Sequence, residues 1–249
     1  MTTPTDSHKS TSHEHAVTRP DDTADPRWRG LYRAGGAAAL VMVALILVQV
    51  TAYVAWPPPT FDGPALPWFE LLQDNRLLGL LSLDLLYLVD SALLAVMYLA
   101  LYVALRKTSE SAMLIGTVLG LVGIAAYYAS NTSFEMLYLS NQYAAATTEA
   151  QRATFLAAGE AALAAYRGTA FDVYYVLNDI TLLVIAAVML RSHIFSRATA
   201  YAGLMAGVLM TVPSSAGTLG TYMALASLLP WVVFSVLVAR RLFQLGRAS

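Results

Sequence analysis

Six apolar blocks divide this chain, at about 32–56, 77–105, 112–140, 168–190, 198–213 and 219–239. Each reaches or approaches the roughly 20 residues that a helix needs to cross about 30 Å of hydrocarbon. Composition agrees: 57% of the 249 residues are hydrophobic and 12% are charged, where a soluble domain carries about 25% charged residues. The first block is too long for a signal peptide and ends without a small-residue cleavage site, so it reads as an anchor. These blocks predict an all-α integral membrane bundle of six transmembrane helices, with the lipid bilayer as its first partner.

Residues 1–30 differ in kind. They are rich in Thr, Ser, Asp, Pro and His and nearly free of aliphatic side chains, so they bury too little to fold and read as a disordered polar cytoplasmic tail. His8, His13 and His15 fall in it as members of a solvated segment rather than a metal site. Residues 31–249 form the transmembrane domain. With the N-terminus inside, only Arg76, Arg152 and Arg167 of the 15 Lys and Arg residues fall on the outer side. The positive-inside rule then places both termini in the cytoplasm.

Two outer connections carry amphipathic helices. In "PPPTFDGPALPWFELLQDN" prolines end the first span, and Pro67 suits the first turn of a short helix with Trp68, Phe69, Leu71 and Leu72 on one side. In "TEAQRATFLAAGEAALAAY" Thr148 and Gln151 have capping-box spacing. Phe155, Leu156, Gly159, Ala162, Leu163 and Tyr166 then share one side of a helix lying on the bundle or the membrane surface. That helix reads as a connector, and less readily as a lid.

Polar residues mark where this bundle departs from a plain lipid anchor. Asp172 and Asp179 lie seven residues apart and share a face with Tyr175. Counted from Arg191, Asp179 lies about 18 Å deep. Asp84, Tyr87, Ser91, Tyr98 and Tyr102 follow one side of the second span, while Asp90 projects elsewhere, about 24 Å from Arg106. On the third span, Gly116, Gly120 and Gly123 form a smooth packing face that becomes polar through Tyr127, Ser130 and Asn131, with Glu135 to one side. Gly203 and Gly207 suit similar packing on the fifth, and Pro230 a kink in the sixth. Ionisable groups at membrane depth cost several kcal/mol unless they face protein or water. The expectation is therefore an outward-facing acidic polar cavity between spans two, three and four, built from Asp84, Asp90, Asn131, Glu135, Asp172, Tyr175, Asn178 and Asp179. Arg76 and Arg167 flank its mouth, within reach of Asp84, Glu135 or Asp172. The alternative is that these groups only cross-link helices, at about 1 kcal/mol each.

Several chemistries lack their residues. The chain has no cysteine, which removes disulfides, thiolate catalysis and Cys-ligated metals. No HExxH, GxSxG, P-loop or dinucleotide fingerprint occurs, and the GxGD context of intramembrane aspartyl proteases is missing. A net charge of −1 without a basic patch points to no nucleic-acid partner. A carboxylate-only site for a hard cation stays open, and no cofactor is indicated.

The run "LLGLLSLDLLYLVD", "LYVALRK", "GLVGIAAYYASNTSFEMLYLSNQYAAATTEAQRATFLAAGEAALAAYRGTAF" and "VMLRSHIFSRATAYAG" resembles a prokaryotic family of multi-pass membrane proteins known as domain of unknown function 4386. The likeness extends over roughly residues 30–245. It implies an integral protein of the cytoplasmic membrane and brings no activity or catalytic residue with it. Three functions follow in order of preference. The first is a small transport or ligand-binding protein taking a proton, a cation or a small molecule. The second is an intramembrane enzyme using a carboxylate pair as acid and base. The third is a non-catalytic membrane module that serves a partner protein.

Overall fold

A computed structural model describes residues 25–247 of the chain, and every element among them is helical. A 3-10 turn, Pro26–Trp28, leads into α1 (Arg29–Ala55). There follow α2 (Leu66–Asp74), α3 (Arg76–Ser82), α4 (Leu85–Leu105), α5 (Glu110–Ser130), α6 (Ser133–Ala145) and α7 (Glu149–Tyr166). The chain ends with α8 (Thr169–Arg191), α9 (Arg197–Met210) and α10 (Gly217–Arg247). Residues 25–30 thus belong to the folded part rather than to the polar tail. The three tail histidines lie outside the described residues.

Five stretches are long and apolar enough to cross a membrane: Pro26–Ala55, Leu85–Leu105, Glu110–Ala145, Glu149–Arg191 and Gly217–Arg247. The block at 198–213 contributes only the 14 residues of α9, which rise about 21 Å. Two other expected spans are interrupted. The block at 77–105 breaks at Leu83 and Asp84, between α3 and α4, and the block at 112–140 breaks at Asn131 and Thr132, between α5 and α6. Neither break has a proline or glycine at it. Pro230 lies inside α10, which continues through it.

The long helices pack as a bundle in which α1 lies against α4 and α10, α5 against α8, and α9 between α8 and α10. Its core contains Met97, Leu101, Leu182, Ile185, Phe234 and Val238. Small residues set the closest approaches, as expected of helices that gain little from burying apolar surface away from lipid. A Cβ at Gly120 would come within 2.5 Å of the Tyr98 ring, and one at Gly203 within 3.0 Å of Phe234. Leu47, Val54, Ile115, Val208 and Leu229 are each more than half exposed on the outside of the bundle. Such apolar exposure suits a lipid-facing surface and not a water-facing one.

The other helices form a cap over one end. Helices α2, α6 and α7 enclose a second core of Trp68, Phe69, Leu72, Met136 and Leu163, with Leu83 beneath it. The capping box of Thr148 and Gln151 starts α7 as its spacing predicts. Its apolar side, however, covers the cap core rather than the membrane surface: a Cβ at Gly159 would meet the Phe69 ring at 2.6 Å. At the opposite end, Arg33 Nε donates to the Gly246 carbonyl at 3.1 Å, and Arg241 Nε donates to the Ile194 carbonyl. Arg106 stacks over Trp28 at 5.9 Å there.

Candidate ligand cavity

Asp84 is the one described residue other than glycine with a left-handed backbone, at φ 60 and ψ 34. L-residues pay about 1–2 kcal/mol for that conformation, least where Asp or Asn bonds locally. Here it ends α3 and turns the chain into α4, with Asp84 N donating to the Leu81 carbonyl at 3.1 Å. Carbonyls at this turn also take side-chain donors from elsewhere in the chain. Gln49 Nε2 of α1 donates to the Leu81 carbonyl at 2.9 Å, and Asn131 Nδ2 donates to the Leu83 carbonyl at 3.3 Å. Ser133 Oγ also donates to Leu83, at 2.5 Å. Non-helical backbone between apolar helices persists where protein satisfies it in this way. The two helix breaks are thereby stapled to each other.

The Asp84 carboxylate is itself saturated. Oδ1 accepts from Tyr53 Oη at 2.5 Å and from Gln49 Nε2 at 3.4 Å, and Oδ2 accepts from Tyr166 Oη at the end of α7. One side chain thus joins α1, α4 and the cap.

Beside this junction lies a cavity of about 360 Å³. Gln49 and Tyr53 of α1, Asp84 and Asp90 at α4, and Leu225 and Leu228 of α10 form much of its wall. Tyr87, Tyr127 and Phe171 close the remaining side. Tyr174 Oη donates to Tyr87 Oη at 2.9 Å, and the Tyr87 and Tyr127 rings meet edge to face at 5.2 Å, so that aromatic wall is fixed from behind. Asp90 is 4% exposed, and its Oδ1 is buried and accepts no hydrogen bond from any described residue.

Of the eight residues singled out from the sequence, only Asp84 and Asp90 line the cavity. Asn131 serves the helix break. Asn178 accepts from Tyr98 Oη at 2.9 Å and donates to the Tyr174 carbonyl at 2.9 Å, cross-linking α8 to α4. Asp179 is buried toward α9, where its Oδ1 would lie 3.3 Å from a Cβ at Gly207. Asp172 accepts from Ser215 Oγ in the turn before α10. Tyr175 is buried with its ring 6.1 Å from that of Phe171. Glu135 is exposed in the first turn of α6. Arg167 pairs with Asp62 at 3.1 Å, and not with the membrane carboxylates.

This cavity lies mainly between α1, α4 and α10, and spans three and four contribute Tyr127 and Phe171 to it rather than the expected polar residues. The glycine face of α5 explains the difference: Gly116, Gly120 and Gly123 bring α5 so close to α8 that Val184, Tyr98 and Asn178 fill the space. Reading only ionisable groups also hid α1, whose contributions, Gln49 and Tyr53, are neutral. A lone amide inside "LILVQVTAYV" is the signal that could have found it. Among the described residues, no three His, Asp or Glu side chains converge as metal ligands would. Comparison with family models, curated proteins and solved structures finds no match for the chain.

Proposed function

We propose that this chain is a small ligand-binding or transport protein of the cytoplasmic membrane, spanning it six times with both termini inside. Support for a sixth span comes from α9, which lies against α8 and α10 and, with the turn after it, runs between their ends. Support for the orientation comes from Arg33, Arg106 and Arg241, which gather at the end of the bundle opposite the cap. The resemblance to the prokaryotic membrane family belongs to the same reading.

The observation that carries the function is Asp90, which lines an otherwise largely apolar cavity and has a buried carboxylate oxygen without a partner among the described residues. Buried polar groups are nearly always bonded, and an unpartnered carboxylate oxygen on a residue that lines a cavity is a group for a ligand to complete. An acid–base enzyme needs two groups free to reach one substrate. Asp84 is already engaged by three donors, which favours binding over catalysis.

Thermal unfolding of the full chain in lipid nanodiscs, against inorganic cations, amines and neutral amphiphiles, tests this. A ligand that raises the wild-type midpoint and fails to raise that of Asp90→Asn supports the binding site. No response to any of them would instead favour a module that serves a protein partner.

A further inference from the structure

Building on that binding site, we infer that the ligand is a hydrophobic amine, taken from the lipid through the seam between α1 and α10 and held by its ammonium group on Asp90 and Gln49. The inference begins with what the cavity lacks. Two buried polar atoms of its lining residues have no partner among the described residues, Gln49 Oε1 and Asp90 Oδ1, and both are hydrogen-bond acceptors. The orientation of the Gln49 amide is fixed by its neighbours. Its nitrogen faces the Leu81 carbonyl and the Asp84 carboxylate, which only accept, so its oxygen is the atom left over. A ligand that completes this site must bring N–H or O–H donors. An ammonium brings three donors and the charge that matches Asp90.

The rest of the wall fits the body of such a ligand. Ile46, Val50, Leu225 and Leu228 are apolar, and Tyr87, Tyr127 and Phe171 offer ring faces and edges. Rings near a desolvated cation add cation–π attraction. Two other features make a metal ion a poor occupant: most of the wall is apolar, and among the described residues no third carboxylate or histidine joins Asp84 and Asp90.

The route follows from exposure. Val50 is 38% exposed and Leu225 is 56% exposed, yet both also line the cavity. These residues belong at once to the interior wall and to the outer face of the bundle. Farther along the same seam the helices close, where Gly36 lets α1 approach Ala239 and Phe243 of α10. The opening therefore faces lipid on the cap half of the bundle, where an amphiphile already resides with its head near water.

The test uses the full chain in nanodiscs of zwitterionic lipid, with octylamine and octanol as probes of equal chain length. At saturation near a hundred times Kd, octylamine is expected to raise the unfolding midpoint by about 5 °C or more. Octanol should raise it far less, and Asp90→Asn should erase the difference. Leu225→Trp places bulk at the mouth from an exposed position while leaving Asp90 intact. It should abolish the octylamine response even if Asp90→Asn fails to fold. Equal responses of the wild type to both probes would overturn the amine assignment, and a full octylamine response in Leu225→Trp its route, while the binding site itself stood. A full octylamine response in Asp90→Asn would overturn the amine assignment together with the role of Asp90 in the site. No response to either probe would overturn the amine assignment, and the binding site falls with it where inorganic cations also leave the midpoint unmoved.

Discussion

Tyr166 closes the last turn of α7 and donates its hydroxyl to Oδ2 of Asp84, 82 residues earlier in the chain. This bond is where the cap and the membrane bundle meet. Asp84 holds a left-handed backbone there, and its other oxygen takes Tyr53 Oη from α1 at 2.5 Å. A strained turn is thus held from both sides by phenols, and Tyr53 Oη also reaches the Ser82 carbonyl at 3.2 Å.

Removing the parts of this junction should therefore give graded losses. Tyr166→Phe and Tyr53→Phe each delete one donor to a carboxylate, and each is expected to cost about 1–2 kcal/mol. Asp84→Ala deletes the acceptor of both phenols and puts an alanine at positive φ, for a loss of at least about 3 kcal/mol. Asp84→Asn keeps one acceptor oxygen and a side chain tolerant of this backbone, and should fall between them. Unfolding in graded SDS and mild detergent would rank the four variants. An Asp84→Ala protein as stable as wild type would show that the junction contributes nothing.

The glycine face of α5 gives a second contrast. A Cβ at Gly120 would meet the Tyr98 ring at 2.5 Å and Thr181 at 3.0 Å, whereas one at Gly30 meets no atom of the described residues within 4 Å. Gly120→Ala should destabilise by about 1–3 kcal/mol through overpacking. Gly30→Ala should be neutral or stabilising by up to about 1 kcal/mol, because alanine is the better helix former. The same unfolding assay compares them, and equal effects at the two positions would argue against close α5–α8 packing.

The same residues show how far the sequence could be read. Block length and composition report helices that must face lipid, so the bundle is legible. The amphipathic cap helices are legible too, because Pro67, Thr148 and Gln151 are local signals with local consequences. The breaks at Asp84 and Asn131 are not. They interrupt runs that are apolar on both sides, and what makes them tolerable is a set of donors from α1, α5 and α6 that only the folded chain brings near. For the site, the carboxylates were visible but not their grouping. Helical spacing places a residue on a face without saying which helix that face meets, so Asp179 and Asp90 look alike until α9 covers one and a cavity adjoins the other.

At the arginine-rich end, acid should act through Asp25. Its carboxyl is held down to about 2, from an ordinary 3.8, chiefly by the hydrogen bond from the Arg27 side chain. A carboxyl depressed by folding contributes stability above its unfolded value and loses it as pH falls through the folded one. The contribution should therefore be intact above about pH 4 and gone below about pH 2. The indole N–H resonance of Trp28, beneath Arg106 at 5.9 Å, is expected to report that step. In Asp25→Asn the step should vanish, and a flat wild-type trace across this range would count against the Asp25–Arg27 contact.

Asn178 and Asp179 are neighbours that α8 turns toward different surroundings, and their substitutions should part accordingly. Asn178 bonds Tyr98 of α4 at 2.9 Å, so Asn178→Ala leaves a buried phenol without its acceptor, at a cost of about 1–3 kcal/mol. Asp179 is 6% exposed and its Oδ1 has no partner among the described residues. A carboxylate in that position is a burden on the fold, and an amide of the same shape relieves the charge. Asp179→Asn should hold or raise the unfolding midpoint, and because Asp179 does not line the cavity, it should respond to octylamine as wild type does. A variant that folded normally yet lost the octylamine response would transfer the recognising role from Asp90 to Asp179. The ligand would then sit between α8 and α9, beside Gly207, instead of between α1 and α10.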